Sequence, residues 1–149
     1  MTTPPTGRLP EGGFNALVPE LDVTDLHASL RFWCEGLGFS VAYDRPESGF
    51  AYLEREGAQV MLCRFNGNWN TGPLEFPLGR GINFQISVTA AAPILEALRQ
   101  LGWPLFQEPR DSWRRTGKCE SGDREFLVQD PDGYLIRLSE ALGQRPLSG

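Results

Sequence analysis

Cysteine, histidine and long apolar runs are all scarce in this chain, and each shortage excludes something. Three cysteines stand among 149 residues. Cys34, Cys63 and Cys119 are far apart and form no CxxC pair, so neither a disulfide framework nor a thiolate zinc site is suggested. They read as reduced, partly buried thiols. The one histidine, His27, cannot by itself supply an imidazole-based metal site. No apolar stretch approaches the ~18 residues of a membrane-spanning helix. The opening "MTTPPTGRLPEGGF" has neither the basic segment nor the apolar core of a secretory signal, so a cytoplasmic protein is expected. Basic residues are also in deficit, 14 against 19 acidic, for a net charge of −5. That balance disfavours nucleic acid, whose phosphates need a basic face. It is compatible with a cationic small molecule. No nucleophile elbow, phosphate-cradling loop or dinucleotide fingerprint occurs.

What the chain does contain is an echo. "VTDLHASLRFWCEGLGFSV" from Val23 is answered by "VTAAAPILEALRQLGWPLF" from Val88, each a helical apolar pattern closing on Leu-Gly-aromatic. In the first, Leu26, Leu30, Trp33 and Leu37 mark one helix face, with Thr24 or Asp25 as cap and Gly38 as stop. In the second, Ile94, Leu95, Leu98 and Leu101 do so, with Thr89 as cap and Gly102 as stop. Strand patterns flank each helix: "ALVPELDV" and "FSVAYD" around the first, "GINFQISV" and "WPLFQE" around the second. Each half then ends in a hairpin, "FAYLEREGAQVMLCRF" and "REFLVQDPDGYLIRLSE". Placing Gly57 opposite Gly133 aligns the hairpins at an offset of 76 residues and leaves a long extra loop over residues 107–122. The pattern predicts an α+β fold of two tandem βαβββ modules, a curved mixed sheet with its helices outside. The expected division is an N-terminal arm (1–15), a first module (16–65), a linker (66–80), a second module (81–141) and a C-terminal tail (142–149).

Strand parity assigns faces. Leu21, Val23, Val60, Leu62, Ile82, Phe84, Ile86, Val88, Tyr134, Ile136 and Leu138 form the set expected to pack on the helices. The opposite set is Val18, Glu20, Asp22, Gln59, Met61, Cys63, Asn83, Gln85, Ser87, Leu135, Arg137 and Ser139. It is either a solvated face of an ordinary sheet or the lining of a cup.

This arrangement resembles the vicinal-oxygen-chelate superfamily, the glyoxalase, bleomycin-resistance and extradiol-dioxygenase fold. The segments that carry the likeness are "ELDVTDLHASLRFWCEGLGF", "GRGINFQISV" and above all "REFLVQDPDGYLIRLSE", which looks most like bleomycin resistance proteins. The resemblance implies that metal-dependent members place their ligands where this chain has Val18, Met61, Asn83 and Arg137. Valine has no donor, a thioether suits soft metals, and arginine stays protonated and repels a cation. No metal, no cofactor and no glyoxalase or dioxygenase chemistry is therefore expected.

The resemblance also implies a homodimer that sequesters an aromatic antibiotic such as bleomycin, with no nucleic-acid or membrane partner. The expected ligand-binding side chains are Glu20, Met61, Trp69, Asn83, Gln85, Trp113 and Arg137, and no catalytic residue is assigned. Trp69 lies in the linker and Trp113 in the extra loop, where aromatic rings suit flat ligands. Trp103 reads as a packing residue. Two alternatives stay open: a metal-independent enzyme built on a Glu20–Arg137 pair, and an accessory protein binding a metabolite. The Pro-rich lead is either an arm exchanged between copies or a disordered end.

Overall fold

The computed structural model describes residues 7–147. Two units of the same plan divide at Phe76/Pro77, inside the expected linker. The first contains β1 (Glu20–Val23), α1 (Leu26–Leu30), β2 (Ser40–Arg45), β3 (Phe50–Arg55) and β4 (Ala58–Arg64). Its sheet runs β1-β4-β3-β2, with β1 parallel to β4 and the rest antiparallel. The second contains β5 (Asn83–Val88), α2 (Ala92–Gln100), β6 (Gln107–Thr116), β7 (Cys119–Gln129) and β8 (Leu135–Pro146), in the order β5-β8-β7-β6. Two four-stranded mixed sheets, each with one crossover helix, make this the expected α+β fold.

α1 starts where Asp25 accepts a hydrogen bond from the Ala28 backbone N–H at 3.1 Å. Its continuation, residues 31–36, widens into turns such as Leu37 N–H to Phe32 carbonyl. The wide turn rotates the inner side, so that Ser29, Phe32, Trp33 and Leu37 are buried while Leu26 and Leu30 are only half-buried. The regular 3.6-residue spacing predicted from sequence therefore missed Phe32. Trp33 is wedged edge-on between Phe32 and Phe39, at 6.1 and 5.2 Å between ring centres. Leu21, Val23, Val60 and Leu62 complete this core.

In the second unit Ile86, Val88, Phe126, Val128, Ile136 and Leu138 are buried from the sheet, and Ile94 and Leu98 from α2. Ile82, placed with this set by parity, precedes the strand and is 56% exposed. Thr89 is not the cap of α2: the N-cap position is Ala91, whose N–H is taken by Glu140 Oε1 at 2.7 Å. A carboxylate from across the sheet does the work of a local cap.

The expected extra loop over residues 107–122 is instead a β-hairpin: β6 and β7 pair from Gln107–Leu127 out to Thr116–Cys119. β8 follows them to Pro146, into residues expected to be a tail. The three cysteines are free. Among the described residues no helix is long and apolar enough to cross a membrane.

Candidate functional site

Each sheet has an inner face on its helix and a second face, and register fixes what shares the second face. In the first unit one row is Glu20, Met61, Tyr52 and Tyr43; the next is Asp22, Cys63, Phe50 and Arg45. Tyr43 and Tyr52 stack at 5.1 Å with ring planes 14° apart, and the Arg45 guanidinium lies 4.0 Å over the Phe50 ring. Ala42, Phe50, Tyr52 and Cys63 form a buried cluster, with Val18, Tyr43 and Met61 packed on it. Burial and the nearby Glu20 and Asp22 carboxylates push the Cys63 thiol pKa up, which keeps it protonated. Burial likewise raises the Asp22 carboxyl pKa.

Residues 7–8 pair with the edge strand β2, and residues 11–15 meet side chains of this face. Arg8 N–H bonds to the Ala42 carbonyl, and Glu11 N–H donates to Glu54 Oε2 at 3.0 Å. Asn15 N–H donates to Gln59 Oε1 at 2.9 Å, and Gln59 Nε2 donates to the Gly13 carbonyl at 2.8 Å. The Tyr52 hydroxyl also donates to Gln59 Oε1. Phe14 stands edge-on to Tyr52 at 5.4 Å while remaining 55% exposed. The segment thus satisfies two buried polar side chains, Glu54 and Gln59. Gly7 pairs with Tyr43 so closely that a Cβ would meet the tyrosine at 2.8 Å. Residues 1–6 of the expected arm lie outside the described residues.

The second unit repeats the rows with different chemistry. Gln85, Arg137, Leu127 and Gln107 correspond to Glu20, Met61, Tyr52 and Tyr43, and Ser87, Ser139 and Glu125 to Asp22, Cys63 and Phe50. Glu125 is buried, with one carboxylate oxygen ion-paired to Arg114 and the other 3.5 Å from Arg137 Nη1. Asn83, Gln85 and Ser87 are exposed. Arg137 therefore takes its counter-charge from β7 in its own sheet, a partner that parity on the sequence had not singled out.

The structure brings Glu20 together with Met61 in the first unit, and Asn83, Gln85 and Arg137 together in the second. Neither aromatic candidate belongs to these strand rows. Trp69 is 87% exposed in the linker with a left-handed backbone, φ 57°. Trp113 is not in a loop but in β6, on the face opposite Arg114, packed over Gly122 with the Arg145 guanidinium 4.1 Å from its ring. Trp103 is a packing residue, its Nε1–H donating to the Gln129 carbonyl at 2.8 Å. Phe14, Tyr43, Tyr52 and Glu125 were missed from sequence; only their strand parity, read with the correct hairpin register, could have found the last three.

The four residues that the resemblance puts at metal-ligand positions do not fit an ion here. Val18 and Met61 are packed against an aromatic cluster, Asn83 offers one neutral amide, and Arg137 is a paired cation. Among the described residues no three His, Cys, Asp or Glu side chains are grouped to hold a metal.

Residues 15–138 match the family model described as "Glyoxalase/Bleomycin resistance protein/Dioxygenase superfamily". A bleomycin resistance protein of Geobacillus stearothermophilus is 30% identical over 125 residues, covering 80% of this chain and 91% of that one. A probable lactoylglutathione lyase of Synechocystis is 28% identical, covering 83% and 92%. The crystal structure of TioX from Micromonospora has the same fold, with TM-score 0.65 and 20% identity over 87% of this chain and all of that one. The chain belongs to the glyoxalase/bleomycin resistance protein/dioxygenase superfamily.

Proposed function

We propose that this protein is a metal-free small-molecule binder of the bleomycin-resistance kind, sequestering an aromatic natural product as a cytoplasmic homodimer. What carries this reading is the residue set Val18, Met61, Asn83 and Arg137, where the family resemblance puts metal ligands, in a chain 30% identical to a bleomycin resistance protein. Those residues suit contact with an organic ligand and not coordination. Exposed rings support it: Phe14 and Trp69 offer open faces for stacking. Glu20 and Asp22 on the first unit's second face favour a cationic group on such a ligand.

The test is titration of the purified protein with metal-free and copper-bound bleomycin, followed by heat and tryptophan fluorescence. A dissociation constant of about 1 μM or tighter, ~8 kcal/mol, weakened by Trp69→Ala or Phe14→Ala, is the expected result. Absence of any heat or fluorescence change in both titrations overturns the reading for this antibiotic.

A further inference from the structure

Four buried side-chain polar atoms lack a hydrogen-bond partner among the described residues, and three of them share one place. Ser112 Oγ, Glu125 Oε2 and Arg137 Nε all belong to the second face of the β5–β8 sheet. Around them the polar side chains of Asn83, Gln85, Ser87, Gln107 and Ser139 make no hydrogen bond among the described residues. Arg137 itself makes none; its contact with Glu125 is a charge pair at 3.5 Å. Glu125 is meanwhile neutralised from its other side by Arg114. The charged groups on this face are Arg110, Arg114 and Arg137 against Asp123 and Glu125. A guanidinium has five donors in a planar fork that matches a carboxylate. Here it stands on a half-buried floor, only 25% of its side chain exposed, where an oxygen anion would meet little competition from water.

From this we infer that the second unit's face is a carboxylate-recognition site, in which Arg137 binds the anionic group of an aromatic ligand and Gln85 and Asn83 flank it. Glu125 is the positioning residue: 94% of its side chain is covered, and it holds the guanidinium by charge without using its hydrogen bonds. The inference rests on the chain being a small-molecule binder and adds the chemistry of the group that meets this unit. It also separates the two faces by sign, since the equivalent row of the first unit carries Glu20 and Met61 where this one carries Gln85 and Arg137.

Sodium benzoate, benzamide and benzamidine test it, each added to the full-length ¹⁵N-labelled protein while the arginine Nε–H and side-chain amide signals are followed. Benzoate is expected to shift the Arg137 Nε–H and the Gln85 and Asn83 amides with a dissociation constant of about 1–10 mM, the range of a weak fragment. Benzamide and benzamidine should bind at least about tenfold more weakly, which is 1.4 kcal/mol. Arg137→Gln should abolish the benzoate shifts at Gln85 and Asn83, and Arg137→Lys, which keeps the charge and loses the fork, should weaken them severalfold. Equal shifts from benzamidine, or benzoate shifts that survive Arg137→Gln, would overturn the assignment. A protein that binds bleomycin but not benzoate sinks this inference alone; one that binds benzoate at Arg137 but not bleomycin sinks the antibiotic and leaves the site.

Discussion

Row for row the two sheets are one design with opposite finishes. Phe50 in the first unit is Glu125 in the second, Met61 is Arg137, and Tyr52 is Leu127. The first face is aromatic, and residues 7–15 hydrogen-bond its buried Glu54 and Gln59. The second is polar, and Arg137, Gln85 and Ser139 make no side-chain hydrogen bond among the described residues, Arg137 being held only by its charge pair with Glu125. One repeat is committed to holding its own chain together. The other, apart from the Arg114–Glu125 pair, leaves most of its side-chain donors and acceptors unspent.

The largest effect expected from breaking this contrast is at Gln59. Gln59→Ala removes its bonds to Asn15, Gly13 and Tyr52, and should destabilise the protein by about 2–3 kcal/mol at roughly 1 kcal/mol each. Its counterpart by register is Leu135, and beside it Gln85→Ala should change stability by less than about 0.5 kcal/mol, as surface changes do. Urea denaturation of both variants gives the comparison directly. Equal costs would mean that the second face is as fully bonded as the first.

A smaller effect is expected where the second unit outgrows the first. A Cβ at Gly122 would come within 2.6 Å of the Trp113 ring, so Gly122→Ala must displace the indole from beneath Arg145. Overpacking of this kind costs about 1–3 kcal/mol, and the Trp113 emission should shift. The rows around Arg137 should keep their chemical shifts. The smallest effect belongs to α2, where hydrogen bonds from Arg99 and Gln100 hold the Glu96 pKa down to about 2. A depressed carboxylate stabilises the fold above its unfolded pKa, near 4.3, and loses that contribution as pH falls through about 2. Asp111, lowered by its bonds to Arg124, follows the same sign. Both pairs are exposed, so salt should erase most of the effect. Carboxyl NMR titration of Arg99→Ala should return Glu96 to an ordinary midpoint.

Most of the architecture was legible because period-3.6 and period-2 patterns repeat in both halves, and the turn residues "EREG" and "QDPDGY" mark the hairpins. The misreadings have local causes. "DSWRRT" lacks apolar alternation, so β6 looked like loop. The turn closing on Gln129 and Leu135 is one residue longer than the one closing on Glu54 and Gln59. The correct offset is therefore 75 on the first hairpin strand (Glu54 to Gln129) and 76 on the second (Gln59 to Leu135). A single offset of 76 turns Tyr52 onto Val128 and hides Glu125 from the site. Residues 7–15, with three glycines and a proline, carry no periodic signal, and their role emerges only from the long-range acceptors Glu54 and Gln59.

That segment has a consequence of its own. A covalently attached occupant competes for its surface at an effective concentration on the order of millimolar. A free molecule meeting this face stacks on Phe14 itself, and reaches the tyrosines beneath only by displacing a neighbour that never diffuses away.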